Sequence, residues 1–125
     1  YSSAASDVYK RQNVQTLPPL GYFDFLLLMK KCRMIITDSG GVQEEATAPP
    51  LRKPVLVTRL STERPEAVDA GFAKVVGVDR NMILESISQT LKKTASLPKA
   101  SPFGNGNAGK YIVDVIKNEM GIKRN

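Results

Sequence analysis

The sequence has no histidine, no tryptophan and a single cysteine, Cys32. Without a second cysteine the chain cannot form an internal disulfide, which fits a reducing compartment. A zinc site is disfavoured because zinc ligands are mainly cysteine and histidine, and a Cys–His nucleophile pair is excluded. No apolar run reaches the ~20 residues that span a bilayer, and no signal-peptide pattern opens the sequence. We therefore expect a cytoplasmic protein without a metal site or a membrane segment.

The charge balance is basic: among 125 residues, 18 Lys and Arg face 12 Asp and Glu, for a net charge of +6. This length suits one domain with a modest core. The positive charge favours an anionic partner, either a nucleic acid or a phosphorylated small molecule. The cations are scattered apart from residues 30–33 and the pair Lys123-Arg124, and aromatic residues are not interleaved with them as in single-strand binders. We expect no nucleic-acid partner.

Short apolar runs alternate with helical patterns along the chain. Continuous apolar strands between helices are typical of a parallel sheet covered on both faces. The pattern predicts an α/β, Rossmann-like fold, whose ligands bind beyond the carboxyl ends of the strands. The last predicted helix is expected to bury Ile112, Val115 and Ile116. The predicted strands are residues 13–17, 34–37, 54–58 and 73–78, and the predicted helices are residues 24–31, 42–48, 65–70, 81–93 and 108–120.

Residues 34–46 read Met-Ile-Ile-Thr-Asp-Ser-Gly-Gly-Val-Gln-Glu-Glu-Ala and run from a predicted strand through two glycines into a helix. Gly40 and Gly41 would let the backbone approach a phosphate and adopt positive φ, and unpaired N–H groups at the helix start would point at the anion. Ser39 could cap the helix or bind a phosphate oxygen. Glu45, about one turn along, suits a sugar diol. Phosphate beside ribose indicates a nucleotide, with an ordinary strand-to-helix turn as the alternative.

A second polar segment, residues 59–71, follows the next predicted strand and should emerge at the same edge of the sheet. Arg64 immediately precedes a helix that begins with proline, where a guanidinium could bind a diphosphate through two hydrogen bonds. The alternative is that Glu63, Arg64 and Glu66 only cap and charge a helix start. Phe25 could stack on a base, although an aromatic residue in an apolar helix is more often part of the core.

Residues 104–109 read Gly-Asn-Gly-Asn-Ala-Gly and match the G-x-G-x-x-G pattern. A dinucleotide-binding loop follows a strand and has an acidic residue at the end of the next strand. Here Ser-Pro-Phe precedes the glycines, and only one helix and a tail follow them. We interpret this segment as a flexible connection, and since a P-loop motif is also absent, we expect no cofactor.

Several ordered motifs closely resemble the non-hydrolysing UDP-N-acetylglucosamine 2-epimerases. The resemblance extends from about Asn13 to the C-terminus. It implies two Rossmann-type domains facing across a cleft, the glycosyltransferase-B architecture, with this chain matching the second domain. The motifs are residues 37–46 (Thr-Asp-Ser-Gly-Gly-Val-Gln-Glu-Glu-Ala), 53–57 (Lys-Pro-Val-Leu-Val), 62–68 (Thr-Glu-Arg-Pro-Glu-Ala-Val) and 70–71 (Ala-Gly), with 19–25 (Pro-Leu-Gly-Tyr-Phe-Asp-Phe) and 101–106 (Ser-Pro-Phe-Gly-Asn-Gly) before the first and last helices.

This resemblance divides the chain into residues 13–125, a partial C-terminal UDP-binding domain, and residues 1–12, which do not match the motifs. Residues 1–12 would be a flexible leader or sequence foreign to the domain. The connection formed by residues 47–52 is about two residues longer than is usual in the family, which affects where the preceding helix ends. A partial domain with about four strands leaves a sheet edge unpaired. We therefore expect the chain to be marginally stable or to self-associate.

The resemblance also implies a reaction. The family interconverts UDP-GlcNAc and UDP-ManNAc by eliminating UDP to a glycal and adding it back to the other face, without a redox cofactor. Its acid–base carboxylates and catalytic histidine fall in segments that this chain lacks, so no catalytic residue is expected here. The full-length enzyme would be a homodimer. The resemblance implies six contacts with UDP. Phe25 would contact uracil, and Glu45 would contact the ribose hydroxyls. The diphosphate would be bound by Ser39, Gly40, Gly41 and Arg64.

Two other functions are compatible with parts of the pattern. A glycosyltransferase of the same architecture also holds a nucleotide diphosphate between two domains, but it would not be expected to carry the Thr-Glu-Arg-Pro-Glu stretch at residues 62–66. A basic nucleic-acid-binding module would show steeply salt-dependent binding to DNA or RNA.

Overall fold

Three short parallel strands and five helices form the part of the chain that the computed structural model describes, residues 13–93 and 96–121. The predicted leader, residues 1–12, and the basic pair Lys123-Arg124 lie outside these residues. In chain order the elements are α1 (Tyr22–Lys31), β1 (Ile35–Thr37), α2 (Gly40–Ala46), β2 (Val55–Val57), α3 (Pro65–Asp69), β3 (Ala73–Val75), α4 (Arg80–Lys92) and α5 (Ala108–Glu119).

The strands pair in the order β1-β2-β3, and both pairs are parallel. The register places Val55 beside Ile35 on one side and beside Ala73 on the other. All three residues of β2 are buried. Because side chains alternate between the two faces of a strand, β2 is covered on both faces. The predicted α/β fold with a parallel sheet is confirmed.

Local sequence chemistry explains where several helices begin and end. The carboxylate of Asp79 accepts a hydrogen bond of 2.9 Å from the N–H of Met82 and caps α4. Pro65 is the first residue of α3, where its missing N–H costs nothing. Gly71 follows α3 with φ of 83°, a conformation that glycine adopts without steric cost. Asp79 and Pro65 thus fix the starts of two helices, and Gly71 lets the chain leave α3.

The predicted strand at residues 13–17 is wrong, because residues 14–20 are irregular. Val14 and Leu17 are 52% and 58% exposed, so no apolar face is buried that could stabilise a strand. The described sheet accordingly has three strands, and β1 pairs only with β2. Ile36 at this open edge is 46% exposed, so β1 is not the fully buried strand that its composition predicts.

The prediction that α5 buries its apolar residues is also wrong. Ile112, Val115 and Ile116 are 59%, 60% and 51% exposed. The residues recur at helical spacing and form one stripe, as the pattern predicts. None of the described helices or strands covers this stripe, and an apolar pattern is buried only where a neighbour meets it.

The connection at residues 47–52 is tied to the segment before α5 by side chains. Arg52 donates hydrogen bonds to the carbonyl of Pro98 at 2.9 Å and to that of Leu97. The Thr47 and Ser101 hydroxyls lie 2.6 Å apart. The backbone of Arg52 has a φ of 47°, in the left-handed region that residues other than glycine rarely adopt. Its hydrogen bonds therefore offset a strained backbone.

Replacing Arg52 separates these two effects. Arg52→Ala removes the hydrogen bonds and keeps the strain, whereas Arg52→Gly removes both. We expect Arg52→Gly to be more stable than Arg52→Ala by about 1 kcal/mol, measured by urea unfolding. Equal stability of the two variants would contradict a strained Arg52.

The exposed stripe on α5 predicts self-association of the chain. We expect sedimentation velocity to show oligomers that dissociate on dilution, and Ile116→Lys to shift the population towards monomer because it places a charge within the stripe. Asn118→Lys adds the same charge at an exposed polar position of α5 and serves as the control. A monodisperse wild-type monomer with cooperative unfolding would contradict the prediction.

Candidate functional site

The carboxyl ends of β1 and β2 lie side by side. The N–H of Thr58, just after β2, donates to the carbonyl of Thr37 at the end of β1 at 3.0 Å. The two polar segments that follow these strands therefore leave the sheet at one edge. This is the edge at which parallel sheets bind ligands.

Ser39 is the N-cap of α2. Its hydroxyl accepts a hydrogen bond of 3.4 Å from the N–H of Val42, so the capping role is confirmed. Gly40 and Gly41 are the first two residues of α2, and neither has a positive φ. The predicted glycine loop with positive φ is therefore wrong, because the Ser39 cap lets the helix begin directly after the strand.

The Arg64 side chain lies close to the backbone of Gly40. A Cβ added there would lie 3.6 Å from both Cζ and Nη2 of Arg64, so the guanidinium rests against the backbone of the first residue of α2. Ser39, Gly40 and Arg64 are thus brought together, as the sequence predicts. A cation and a helix N-terminus share this point, and both favour an anion.

Arg64 is oriented by two acceptors. Its Nε forms an ion pair with the Glu44 carboxylate, and its Nη1 donates to the carbonyl of Glu63 at 3.0 Å. The side chains of Arg64 and Glu44 are 32% and 41% exposed, so the pair adds little stability. Its consequence is geometric, since it directs the guanidinium across the start of α2. Sequence reasoning missed Glu44, although it directly precedes Glu45.

Glu45 lies about one turn further along α2 and contacts α1 instead of Arg64. Its Oε1 accepts a hydrogen bond of 3.0 Å from the hydroxyl of Tyr22. This hydrogen bond and the nearby negative charge raise the pKa of Tyr22, so the phenol keeps the proton that it donates. Tyr22 was also missed, although it lies in the Gly-Tyr-Phe-Asp-Phe motif that carries the family resemblance.

Phe25 is partly buried and packs against the core cluster, which includes Met29 of the same helix. It follows Tyr22 by three residues, so the two side chains lie on neighbouring positions of α1. The core interpretation of Phe25 therefore accounts for its packing, and its contact with a base stays a prediction.

Within residues 13–93 and 96–121, no three His, Cys, Asp or Glu side chains are grouped so that they could hold a metal ion. No described helix is long and apolar enough to cross a membrane.

Comparison with known proteins points to one family. A family model for UDP-N-acetylglucosamine 2-epimerase matches residues 2–117, including residues that the motifs alone left outside the resemblance. The UDP-N-acetylglucosamine 2-epimerase of Escherichia coli K12 is 44% identical over 86% of this chain and 29% of the relative.

Solved structures agree with this relationship. S. aureus MnaA, solved with UDP, has a TM-score of 0.81 and 36% identity, over 96% of this chain and 33% of its own. The UDP-GlcNAc 2-epimerase of Neisseria meningitidis, bound to UDP-GlcNAc, has a TM-score of 0.69 and 44% identity, over 82% of this chain and 28% of its own. The described sheet and helices correspond to part of the glycosyltransferase-B-like fold of these enzymes, and the chain spans about a third of their length or less. On this sequence and structural similarity, the chain belongs to the UDP-N-acetylglucosamine 2-epimerase family.

Proposed function

We propose that residues 13–125 are part of the UDP-binding domain of an enzyme that interconverts UDP-GlcNAc and UDP-ManNAc. The observation that carries this proposal is the position of the Arg64 guanidinium, against Gly40 and beside the Ser39 cap. Family membership supports it, as do the neighbours solved with UDP and with UDP-GlcNAc. The alternative function, a glycosyltransferase of the same architecture, is not favoured, because the relatives described above are epimerases.

The diphosphate would bind at the start of α2. The N–H groups of Gly40 and Gly41 have no intrahelical acceptor at this end of a helix and can donate to phosphate oxygens. The Ser39 hydroxyl and the Arg64 guanidinium supply further donors. Eliminating UDP transfers the bonding electron pair to a diphosphate oxygen, and donors already in place stabilise that developing charge. In this proposal the chain stabilises the leaving group.

The nucleoside would bind towards α1. Glu45 can accept hydrogen bonds from the ribose hydroxyls, because a carboxylate has about four lone-pair sites and Tyr22 occupies one. Phe25 would stack on uracil with the part of its ring that the core leaves exposed. The proton transfers at carbon 2 would fall to residues outside this chain, and neither a metal nor a redox cofactor is required. We further propose that the complete enzyme is a cytoplasmic homodimer.

Calorimetric titration of the chain with UDP and with uridine tests this arrangement. We expect Arg64→Ala to weaken UDP binding by about 10-fold or more, because it removes a charge-assisted contact, and to leave uridine binding unchanged. Glu45→Ala should weaken both ligands. Arg59→Ala removes another cation of the same loop, one that pairs with Glu63 at 3.1 Å, and should bind both ligands like the wild type. Absence of UDP binding by a demonstrably folded chain would contradict the proposal.

The contact between Tyr22 and Glu45 generates a separate prediction. Tyr22→Phe removes one hydroxyl and frees the carboxylate to rotate, so UDP and uridine should both bind about 2- to 10-fold more weakly. Tyr111→Phe is the matched control, since Tyr111 lies 56% exposed on α5. Wild-type affinity of Tyr22→Phe for both ligands would show that Glu45 needs no such orientation.

A further inference from the structure

Gln43 is the largest polar side chain among the buried residues of the described chain, with no exposed surface. It lies on α2, two residues after Gly41, and its amide contacts both segments that form the candidate site. Its Nε2 lies 3.2 Å from the carbonyl oxygen of Ser39, and its Oε1 lies 2.6 Å from the hydroxyl of Thr62. A buried amide is costly unless both ends are paired, and here both ends are paired.

Donor and acceptor can be assigned in only one way in these two hydrogen bonds. The Ser39 carbonyl can only accept, so the NH₂ group of Gln43 must face it, and the amide oxygen must face Thr62. Thr62 then donates its hydroxyl hydrogen to Gln43 and accepts a hydrogen bond of 3.0 Å from the backbone N–H of Arg64. A continuous chain of hydrogen bonds therefore runs from Arg64 through Thr62 and Gln43 to Ser39.

The backbone at Arg64 is held by this chain of hydrogen bonds. Its φ of −126° and ψ of 62° belong to neither a helix nor a strand, and its side chain does not cap the following helix. Glu44 directs the guanidinium, but the direction of the Cα–Cβ bond depends on the backbone. The bond from the Arg64 N–H to Thr62 fixes that backbone relative to the residue that caps α2.

We propose that Gln43 and Thr62 are positioning residues, which hold Arg64 at the start of α2 so that its guanidinium and the α2 amides meet one diphosphate. This inference rests on the proposed function. Neither residue needs to touch UDP, because both act through Arg64. Their contribution is therefore specific to ligands with a diphosphate.

Substitution of Thr62 tests this role in the 125-residue chain. Thr62→Val keeps the shape of the side chain and removes the hydroxyl, whereas Thr62→Ser keeps the hydroxyl. We expect Thr62→Val to weaken UDP binding by about 3- to 10-fold and to leave uridine binding within 2-fold of the wild type, the size expected for one lost hydrogen bond. Thr62→Ser should retain the wild-type affinity for UDP. Equal weakening of UDP and uridine would indicate a general structural role and overturn the inference.

A double-mutant cycle identifies the residue through which Thr62 acts. In the Arg64→Ala background, Thr62→Val should cause less than about a 2-fold further loss of UDP affinity, because the group that it positions is gone. A full additional loss would overturn the inference. If Arg64→Ala weakens UDP binding and Thr62→Val does not, only the positioning role fails. If Arg64→Ala has no effect, the proposed diphosphate contact fails as well.

A second variant interrupts the hydrogen-bond chain from the other end. Gln43→Met has a similar length and no amide, and it should reproduce the selective loss of UDP affinity. It keeps the inference testable if Thr62→Val does not fold, with folding followed by circular dichroism. Wild-type UDP binding by a folded Gln43→Met would overturn the inference.

Discussion

Parallel pairing of β1 with β2 is the constraint on which the candidate site depends. Strands that run in the same direction end at the same edge, and the hydrogen bond from the Thr58 N–H to the Thr37 carbonyl closes the pairing at that edge. Ser39 and Arg64 are 25 positions apart in the sequence, yet Ser39 follows the end of β1 by two residues and Arg64 follows the end of β2 by seven. An antiparallel pairing would place the two segments at opposite ends of the sheet.

Two kinds of polar contact give the candidate site its geometry, one partly exposed and one buried. The ion pair of Arg64 with Glu44 is partly exposed, so water screens it, and its effect lies in direction. The buried amide of Gln43 is different, because an unpaired buried polar group is costly and only one arrangement pairs both of its ends. One contact orients a side chain, and the other orients the backbone that carries it. In the proposed function, the two contacts would hold the donors in place before UDP binds, as stabilisation of a departing diphosphate requires.

Prediction from the sequence succeeded where a single segment carries the information. The Ser39 cap and the Pro65 start act over a few residues, so the elements that they bound could be recognised locally. It failed where burial depends on a distant neighbour: α5 has the expected apolar stripe, but no described element covers it. The positive φ predicted for Gly40 and Gly41 was wrong for another reason: the helix after the Ser39 cap begins at Gly40, two residues before the predicted start at residue 42.

The sequence by itself determined the alternation of strands and helices along most of the chain, and the edge at which the segments carrying Ser39 and Arg64 leave the sheet. These follow from local propensity and from the direction of parallel strands. Only the tertiary structure decided which side chains meet: Tyr22 with Glu45, Glu44 with Arg64, and Gln43 with Thr62. Each of these pairs joins residues 19 to 23 positions apart. Contacts over such separations depend on how elements pack against one another, and no periodicity within one segment encodes that packing.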